Sequence, residues 1–309
     1  MKHKLIAIVG PTASGKTRLS VELAKELGGE IISFDSMQIY RGMDIGTAKP
    51  TMEERQGIVH HMLDIADPRE DYSVSRFVEE ADKLLQELLS QGKTVILVGG
   101  TGLYIDSLMK GLEFAPLPES GVRQELTRIA QEQGIEVLMD KLRAVDPESA
   151  ERIHPSNQKR VIRALEIYLE SGKTMTQHNL ETQQRPPKYE PLRIGLDYVN
   201  REALYARINR RVDLMVEQGL LEELQRLLAQ GIPENATSMQ AIGYKELMGY
   251  IRGECSLEEA KELLKQSSRR YAKRQRTWFR RNPKIHWFLL EDEPNFEALF
   301  RSCLPLIEG

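Results

Sequence analysis

The chain has 309 residues, of which 40% are hydrophobic and 29% charged, a composition that excludes a disordered or fibrous protein and can bury a sizeable core. Lys and Arg total 43 against 46 Asp and Glu, a formal net charge of −3, so a globally basic polyanion binder is excluded and any nucleic-acid surface must be local. Cys255 and Cys303 are the only cysteines, far apart, which argues against a disulfide scaffold or a C-x-x-C zinc site and fits a reducing cytosol.

The first element is a short apolar strand, residues 5–9, too short for the apolar stretch of a signal peptide. No apolar run in the chain approaches the ~20 residues of a membrane span. Gly10-Pro11-Thr12-Ala13-Ser14-Gly15-Lys16-Thr17 follows, with the pattern G-x-x-x-x-G-K-T, and leads into a helix from Arg18. The glycines let successive backbone N–H groups point into one concavity, and the helix start adds free donors and the positive end of its dipole. Lys16 is placed to reach a terminal phosphate and Thr17 to ligate Mg²⁺. The loop therefore predicts binding of a di- or triphosphate group, without saying which molecule carries it.

A second strand, residues 30–34, ends at Asp35, which is either a magnesium-side acid, a general base facing the phosphate loop, or a turn aspartate capping Ser36-Met37. Residues 36–50 form a long glycine-dotted loop, placed where parallel sheets put function. A third strand is expected at 61–65. Residues 73–91 form an amphipathic helix with Phe77, Ala81, Leu84, Leu85 and Leu88 at helical spacing. A fourth strand at 94–98 exits through Gly99-Gly100-Thr101-Gly102. This rhythm predicts an α/β fold, a P-loop NTPase-like doubly wound parallel sheet.

Around Pro116 the texture changes, and 116–190 reads as an inserted all-helical domain bounded by proline hinges, with 1–115 and 191–309 forming the core domain. Helices are expected at 122–133, 135–145 and 157–171, the last carrying Lys159, Arg160 and Arg163. Residues 192–198 return to the sheet. A helix over 201–218 brings Arg207, Arg210 and Arg211 close together as candidate phosphate clamps, with the inward-facing one undetermined. Residues 256–281 form a long helix, 285–289 a last strand and 296–303 a terminal helix. Within the long helix, Arg269, Lys273, Arg276 and Arg280 share one face, while Tyr271, Gln275 and Trp278 line another. Basic side chains with interleaved aromatics suit a nucleic-acid backbone and a stacked base, the alternative being a solvated charged helix with Trp278 in the core.

These residues together resemble the tRNA isopentenyltransferase family, whose bacterial members are tRNA dimethylallyltransferases. The matching blocks are residues 10–17, Asp35-Ser36-Met37-Gln38-Ile39-Tyr40, Gly42-Met43-Asp44-Ile45-Gly46-Thr47-Ala48-Lys49-Pro50, 98–104, 160–166, 207–212, 241–246 and 273–280, in order over nearly the whole chain. The resemblance implies transfer of a dimethylallyl group from dimethylallyl diphosphate to N6 of the adenosine 3′ to the anticodon in tRNA, with Mg²⁺ as cofactor. It implies diphosphate binding by Gly10 to Thr17, Arg211 as the arginine on the departing pyrophosphate, and Asp35 as the base. Thr101 would contact the target adenosine in the channel. The anticodon stem-loop would be gripped by Asp35, Ser36, Met37, Gln38, Arg123, Lys159, Arg160, Val161, Ile162, Arg163, Gln240, Gly243, Tyr244, Lys245, Lys273, Arg274, Gln275, Trp278 and Arg280. Lys159 departs from relatives that carry glutamine there. A monomeric cytoplasmic enzyme is expected, and a nucleoside or nucleotide kinase is the alternative for the P-loop.

Overall fold

The computed structural model describes residues 3–112, 121–184 and 186–309. Contacts divide the chain into two compact units, Met1–Gly111 with Tyr189–Gly309, and Leu112–Lys188. The proline hinge expected at 116–118 lies outside the described residues.

The larger unit begins with β1 (Leu5–Val9), α1 (Lys16–Leu27), β2 (Glu30–Ser33), the single turn α2 (Met52–Arg55), β3 (His60–His61), α3 (Val74–Ser90), β4 (Val95–Val98) and α4 (Gly102–Lys110). In the smaller unit the helices are α5 (Val122–Gln133), α6 (Ile135–Val145), α7 (Pro147–Arg152), α8 (Gln158–Ser171) and α9 (Met175–Gln184). The larger unit resumes with β5 (Leu192–Tyr198), α10 (Arg201–Glu217), α11 (Leu220–Ala229), α12 (Tyr244–Ile251), α13 (Leu257–Phe279), β6 (Ile285–Leu290) and α14 (Phe296–Glu308).

Among the described residues six strands form one sheet in the order β3-β2-β4-β1-β5-β6, and each of these pairings is parallel. β1 lies inside the sheet, with Ile6 opposite Ile96 on one side and Ile8 opposite Ile194 on the other. Helices cover both faces, so Ile6, Ala7, Ile8 and Val9 are all fully buried, which is why this strand reads as an unbroken apolar run rather than an alternation. Its chain connections reverse direction across the sheet around β1 and β4, and a doubly wound sheet places its ligand crevice at such a point, beyond the carboxyl ends of the strands.

Several local expectations need correction. The third strand is two residues long because Met62 and Asp64 adopt left-handed backbone (φ +61° and +57°), which no ladder accommodates. The 99–102 exit turn runs into α4. The terminal helix continues to Glu308 through Pro305. The amphipathic reading of α3 holds: Ser73 caps it by accepting from Arg76 N–H at 3.2 Å, and Phe77, Val78, Ala81, Leu85 and Leu88 form its buried stripe.

The smaller unit has its own core, in which Leu126, Leu138, Met139, Leu142, Val161 and Leu165 interdigitate. Its α7 starts at Asp146-Pro147, where Asp146 caps the helix and also accepts from the Thr176 N–H and hydroxyl, tying α9 back to α7.

Candidate active site

The phosphate loop is shaped by close packing on every side. A Cβ on Gly10 would lie 2.3 Å from the Leu196 carbonyl oxygen of β5, and one on Gly15 would lie 2.2 Å from the Phe296 ring of α14. Gly10, Ala13 and Gly15 all have positive φ (+143°, +63° and +85°), so the turn needs glycine at both ends for room and for backbone conformation. Gly15 stands at the N-cap of α1 and offers no side chain to its first N–H groups, which leaves those donors for the concavity of the loop. Within it the Ser14 hydroxyl is buried with no hydrogen-bond partner among the described residues, and Lys16 Nζ donates to Pro11 O at 2.7 Å.

One buried side chain joins the two halves of the cleft. Gln275 Oε1 accepts from Thr12 N–H at 2.8 Å, and its Nε2 donates to Gly100 O at 3.0 Å. The Gly99-Gly100 pair makes this possible. A Cβ on Gly100 would sit 2.1 Å from Gln275 Nε2, and one on Gly99 would sit 2.7 Å from the Phe34 ring.

Lys16, Thr17, Asp35 and Arg211 line a common cleft with Thr12, Gly99, Gly100 and Tyr271. Each of the three charged groups feels the others. Burial, then the Arg211 charge, pushes the Lys16 ammonium down to about 7, against the pull of Asp35. Burial raises the Asp35 carboxyl above the usual carboxylate range, opposed by the Met37 and Gln38 N–H groups and by Lys16 and Arg211. Burial likewise lowers the Arg211 guanidinium, against Asp35. Asp35 Oδ1 accepts from Met37 N–H at 2.9 Å, so the turn-capping reading of this residue is also met, by one of its two oxygens.

Of the three clustered arginines, Arg211 is the one that reaches inward, donating to Thr12 Oγ1 at 3.1 Å. Arg207 lies against the rim of the loop, with its Nε donating to Ala13 O at 3.3 Å, and Arg210 borders the outer mouth with Arg18 and Lys49. Thr101 supports the turn after Asp35: its hydroxyl accepts from Ser36 N–H at 3.1 Å and lies 3.3 Å from Ser36 Oγ. Gln38 is tied to the glycine-dotted loop, donating to Thr47 O and Ala48 O. Beside the reactive cleft opens a chamber of about 270 Å³, just below the usual size of ligand sites (~300–1,000 Å³), walled by Ile208, Val212, Met215, Leu264, Ala241 and Ile242 and edged by Gln240, Lys245 and Arg274.

The structure corrects part of the expected RNA surface. Tyr244 and Val161 are wholly buried and Gln275 is 4% exposed, so these side chains brace a surface rather than form one. Gly243 is buried too, its N–H given to Glu246 Oε2. Trp278 is no free stacking platform, because its indole N–H donates to Asp106 Oδ2 at 2.8 Å and its ring packs where a Cβ on Gly102 would stand. Arg276 Nε and Arg280 Nη2 both donate at 2.9 Å to Asp197 Oδ2, a fully buried carboxylate on β5. In the smaller unit Arg123 and Arg163 grip Glu166. Met37, Ile162 and Ser36 are partly exposed, whereas Gln240, Lys245, Lys273, Arg274, Arg280, Arg123, Lys159 and Arg160 are exposed.

Asp197, Asp106 and Glu223 escaped sequence reading, since each lies in a helix or strand with no motif around it. Asp197 alone carried a signal: a carboxylate inside an apolar strand demands a cationic partner.

Among the described residues no group of three or more His, Cys, Asp or Glu could hold a metal ion, and no helix is long and apolar enough to cross a membrane. A magnesium ion that arrives with a diphosphate needs no such cluster, because it keeps waters and phosphate oxygens as ligands. The partnerless Ser14 hydroxyl and the neighbouring Thr17 suit that mode of binding.

Fold and site together define an enzyme of the P-loop type, with a carboxylate held opposite the phosphate cradle. A sequence profile of the family described as IPP transferase matches residues 38–282. The chain is 50% identical over 310 residues to the tRNA dimethylallyltransferase of Anoxybacillus flavithermus (100% of this chain, 97% of that one). It is 48% identical over 299 residues to the enzyme of that name from Acetivibrio thermocellus (96% and 95%). The crystal structure of a full-length tRNA isopentenylpyrophosphate transferase from Bacillus halodurans superposes with a TM-score of 0.75 at 47% identity, covering 100% of this chain and 96% of that one. A eukaryotic dimethylallyltransferase caught acting on tRNA gives 0.81 at 31% identity, covering 97% and 77%. The chain therefore belongs to the tRNA dimethylallyltransferase (IPP transferase) family.

Proposed function

We propose that this enzyme transfers the dimethylallyl group of dimethylallyl diphosphate to the exocyclic N6 of the adenosine 3′ to the anticodon in tRNA. The observation that carries the reading is the convergence of Lys16, Arg211 and Asp35 on one cleft between a phosphate cradle and an apolar chamber. The diphosphate lies in the loop of residues 10–17 and the five-carbon chain in the chamber. As the new N6–C1 bond forms, the C1–O bond breaks and its electron pair leaves with pyrophosphate. Lys16 and Arg211 stabilise that growing charge. The adenine amine is a weak nucleophile because its lone pair is delocalised, and its proton passes to the Asp35 carboxylate. Such general-base assistance is worth roughly 10²–10⁴-fold. When bound, Mg²⁺ at the Thr17 hydroxyl adds charge neutralisation at the diphosphate.

The acceptor side is local and basic. Lys245, Lys273 and Arg274 are exposed, and Lys245 and Arg274 edge the chamber itself. Lys159 and Arg160 offer phosphate contacts from the smaller unit. The target base must leave its stack for its N6 to reach Asp35 in the cleft. We infer a monomer working in the cytosol.

The test incubates the protein, Mg²⁺, dimethylallyl diphosphate and an unmodified anticodon stem-loop, and maps the product by fragment mass spectrometry. One isoprenyl group on the adenosine 3′ to the anticodon is expected. An unmodified RNA, or a group on another nucleotide, would overturn the assignment.

A further inference from the structure

The loop after Gln38 is irregular, yet it is held from below by one residue. Glu223 on α11 is 2% exposed. Its Oε2 accepts from Asp44 N–H and Ile45 N–H, and its Oε1 from Gly46 N–H, all at 2.9 Å. Oε1 also accepts from the Tyr244 hydroxyl at 2.7 Å. Three successive backbone N–H groups make an anion nest, and here the anion is the protein's own carboxylate. Gly46 packs closely on the Tyr244 ring, since a Cβ there would stand 2.4 Å from Tyr244 Cζ.

Two residues further on, Ala48 has φ +48°, a left-handed conformation that a non-glycine residue holds only when its surroundings impose it. Its carbonyl and that of Thr47 accept from Gln38 Nε2 at 3.1 and 3.2 Å. Ala48 borders the phosphate cradle, the reactive cleft and the apolar chamber alike.

We propose that Glu223 is a positioning residue that sets how long a prenyl chain the enzyme accepts, by locking the 44–46 nest so that Thr47 and Ala48 form a fixed wall between cradle and chamber. The proposal rests on the prenyl-transfer reading above. A carboxylate is required here. Glutamine has the same shape but one acceptor oxygen, and its NH₂ would face backbone N–H donors. The nest then loses its anion and the wall is free to shift.

The test compares the full chain with Glu223→Gln and Ala48→Gly. Amide hydrogen exchange at residues 44–46 is followed, together with kcat/KM for dimethylallyl and geranyl diphosphate on the same tRNA. Glu223→Gln is expected to speed exchange at those amides at least tenfold, and to raise the geranyl-to-dimethylallyl ratio by about tenfold or more, because ångström-scale misplacement costs up to about 10² in rate. Ala48→Gly relieves the strained backbone and removes a methyl from the junction. It is expected to raise the same ratio with an unchanged or higher Tm. A Glu223→Gln protein with native circular dichroism and unaltered exchange overturns the proposal, as does an unaltered ratio in Ala48→Gly. Should the wild-type chain transfer neither group, the functional reading fails while the exchange arm still tests the lock. A Gln variant that does not fold leaves Ala48→Gly to decide.

Discussion

The pH dependence of diphosphate binding tests the electrostatics of the cleft. Lys16 is brought down to about 7 by burial and by Arg211. Its ammonium is therefore about half charged at pH 7, about a tenth at pH 8 and about a hundredth at pH 9, whereas an ordinary lysine at ~10.4 stays charged throughout. A diphosphate against Nζ opposes the burial cost and raises the group again. The bound state then holds more protons than the free state, and linkage makes affinity fall as pH rises above 7 and level off below it. The diphosphate's own last ionisation, near pH 6 for a phosphate ester, is complete over this range. The expected result is a Kd for dimethylallyl diphosphate that weakens about tenfold per pH unit between roughly 7.5 and 9, with uptake of about one proton. Isothermal titration in two buffers of different ionisation heat reads both quantities. Lys16→Arg, permanently charged, should flatten the slope, and Arg211→Gln should shift it to higher pH because a like charge is removed. A Kd independent of pH from 7 to 9, with no proton uptake, would refute the reasoning.

Other perturbations separate the roles of neighbouring groups. Asp35→Asn should lower kcat by roughly 10²–10⁴ with little change in KM for the donor, as steady-state kinetics would show. Because burial raises Asp35, the wild-type rate should fail on its acid side at a pH above the ordinary carboxylate range, the base being lost as it takes a proton. Asp197→Ala leaves Arg276 and Arg280 facing a buried gap. The expected cost is about 3 kcal/mol in urea unfolding, at the low end for a broken buried pair because Arg280 is 57% exposed. Lys273→Glu combined with Arg274→Glu should weaken stem-loop binding and reduce its salt slope by about one per lost phosphate contact, as filter binding across a salt series would reveal.

Much of this was legible in the chain because local chemistry dictated it. The P-loop spacing announced both glycines that the packing demands, at Leu196 and at Phe296. The unbroken apolar strands announced a sheet covered on both faces. What stayed hidden depended on partners distant in sequence. The basic run along α13 and its C-cap read as a nucleic-acid face, but Arg276 and Arg280 serve Asp197, some 80 residues earlier, and Trp278 serves Asp106. Gln275, expected to grip the stem-loop, is the bridge between the phosphate loop and the exit of β4. The third strand failed for a local reason that side-chain pattern does not encode, the left-handed backbone at Met62 and Asp64. Among Arg207, Arg210 and Arg211, helical periodicity alone gives no inward direction; the contact with Thr12 does.

If the phosphate cradle serves an isoprenoid diphosphate, the group transferred is carbon, not phosphate. The most direct measurement offers the protein two donors in one reaction with tRNA and Mg²⁺: dimethylallyl diphosphate labelled in its carbon chain, and ATP labelled at its terminal phosphate. Carbon label in the RNA, matched by one pyrophosphate released per label and absent with Asp35→Asn, is the predicted result. Terminal phosphate lost from ATP, with no carbon label in the RNA, would contradict it.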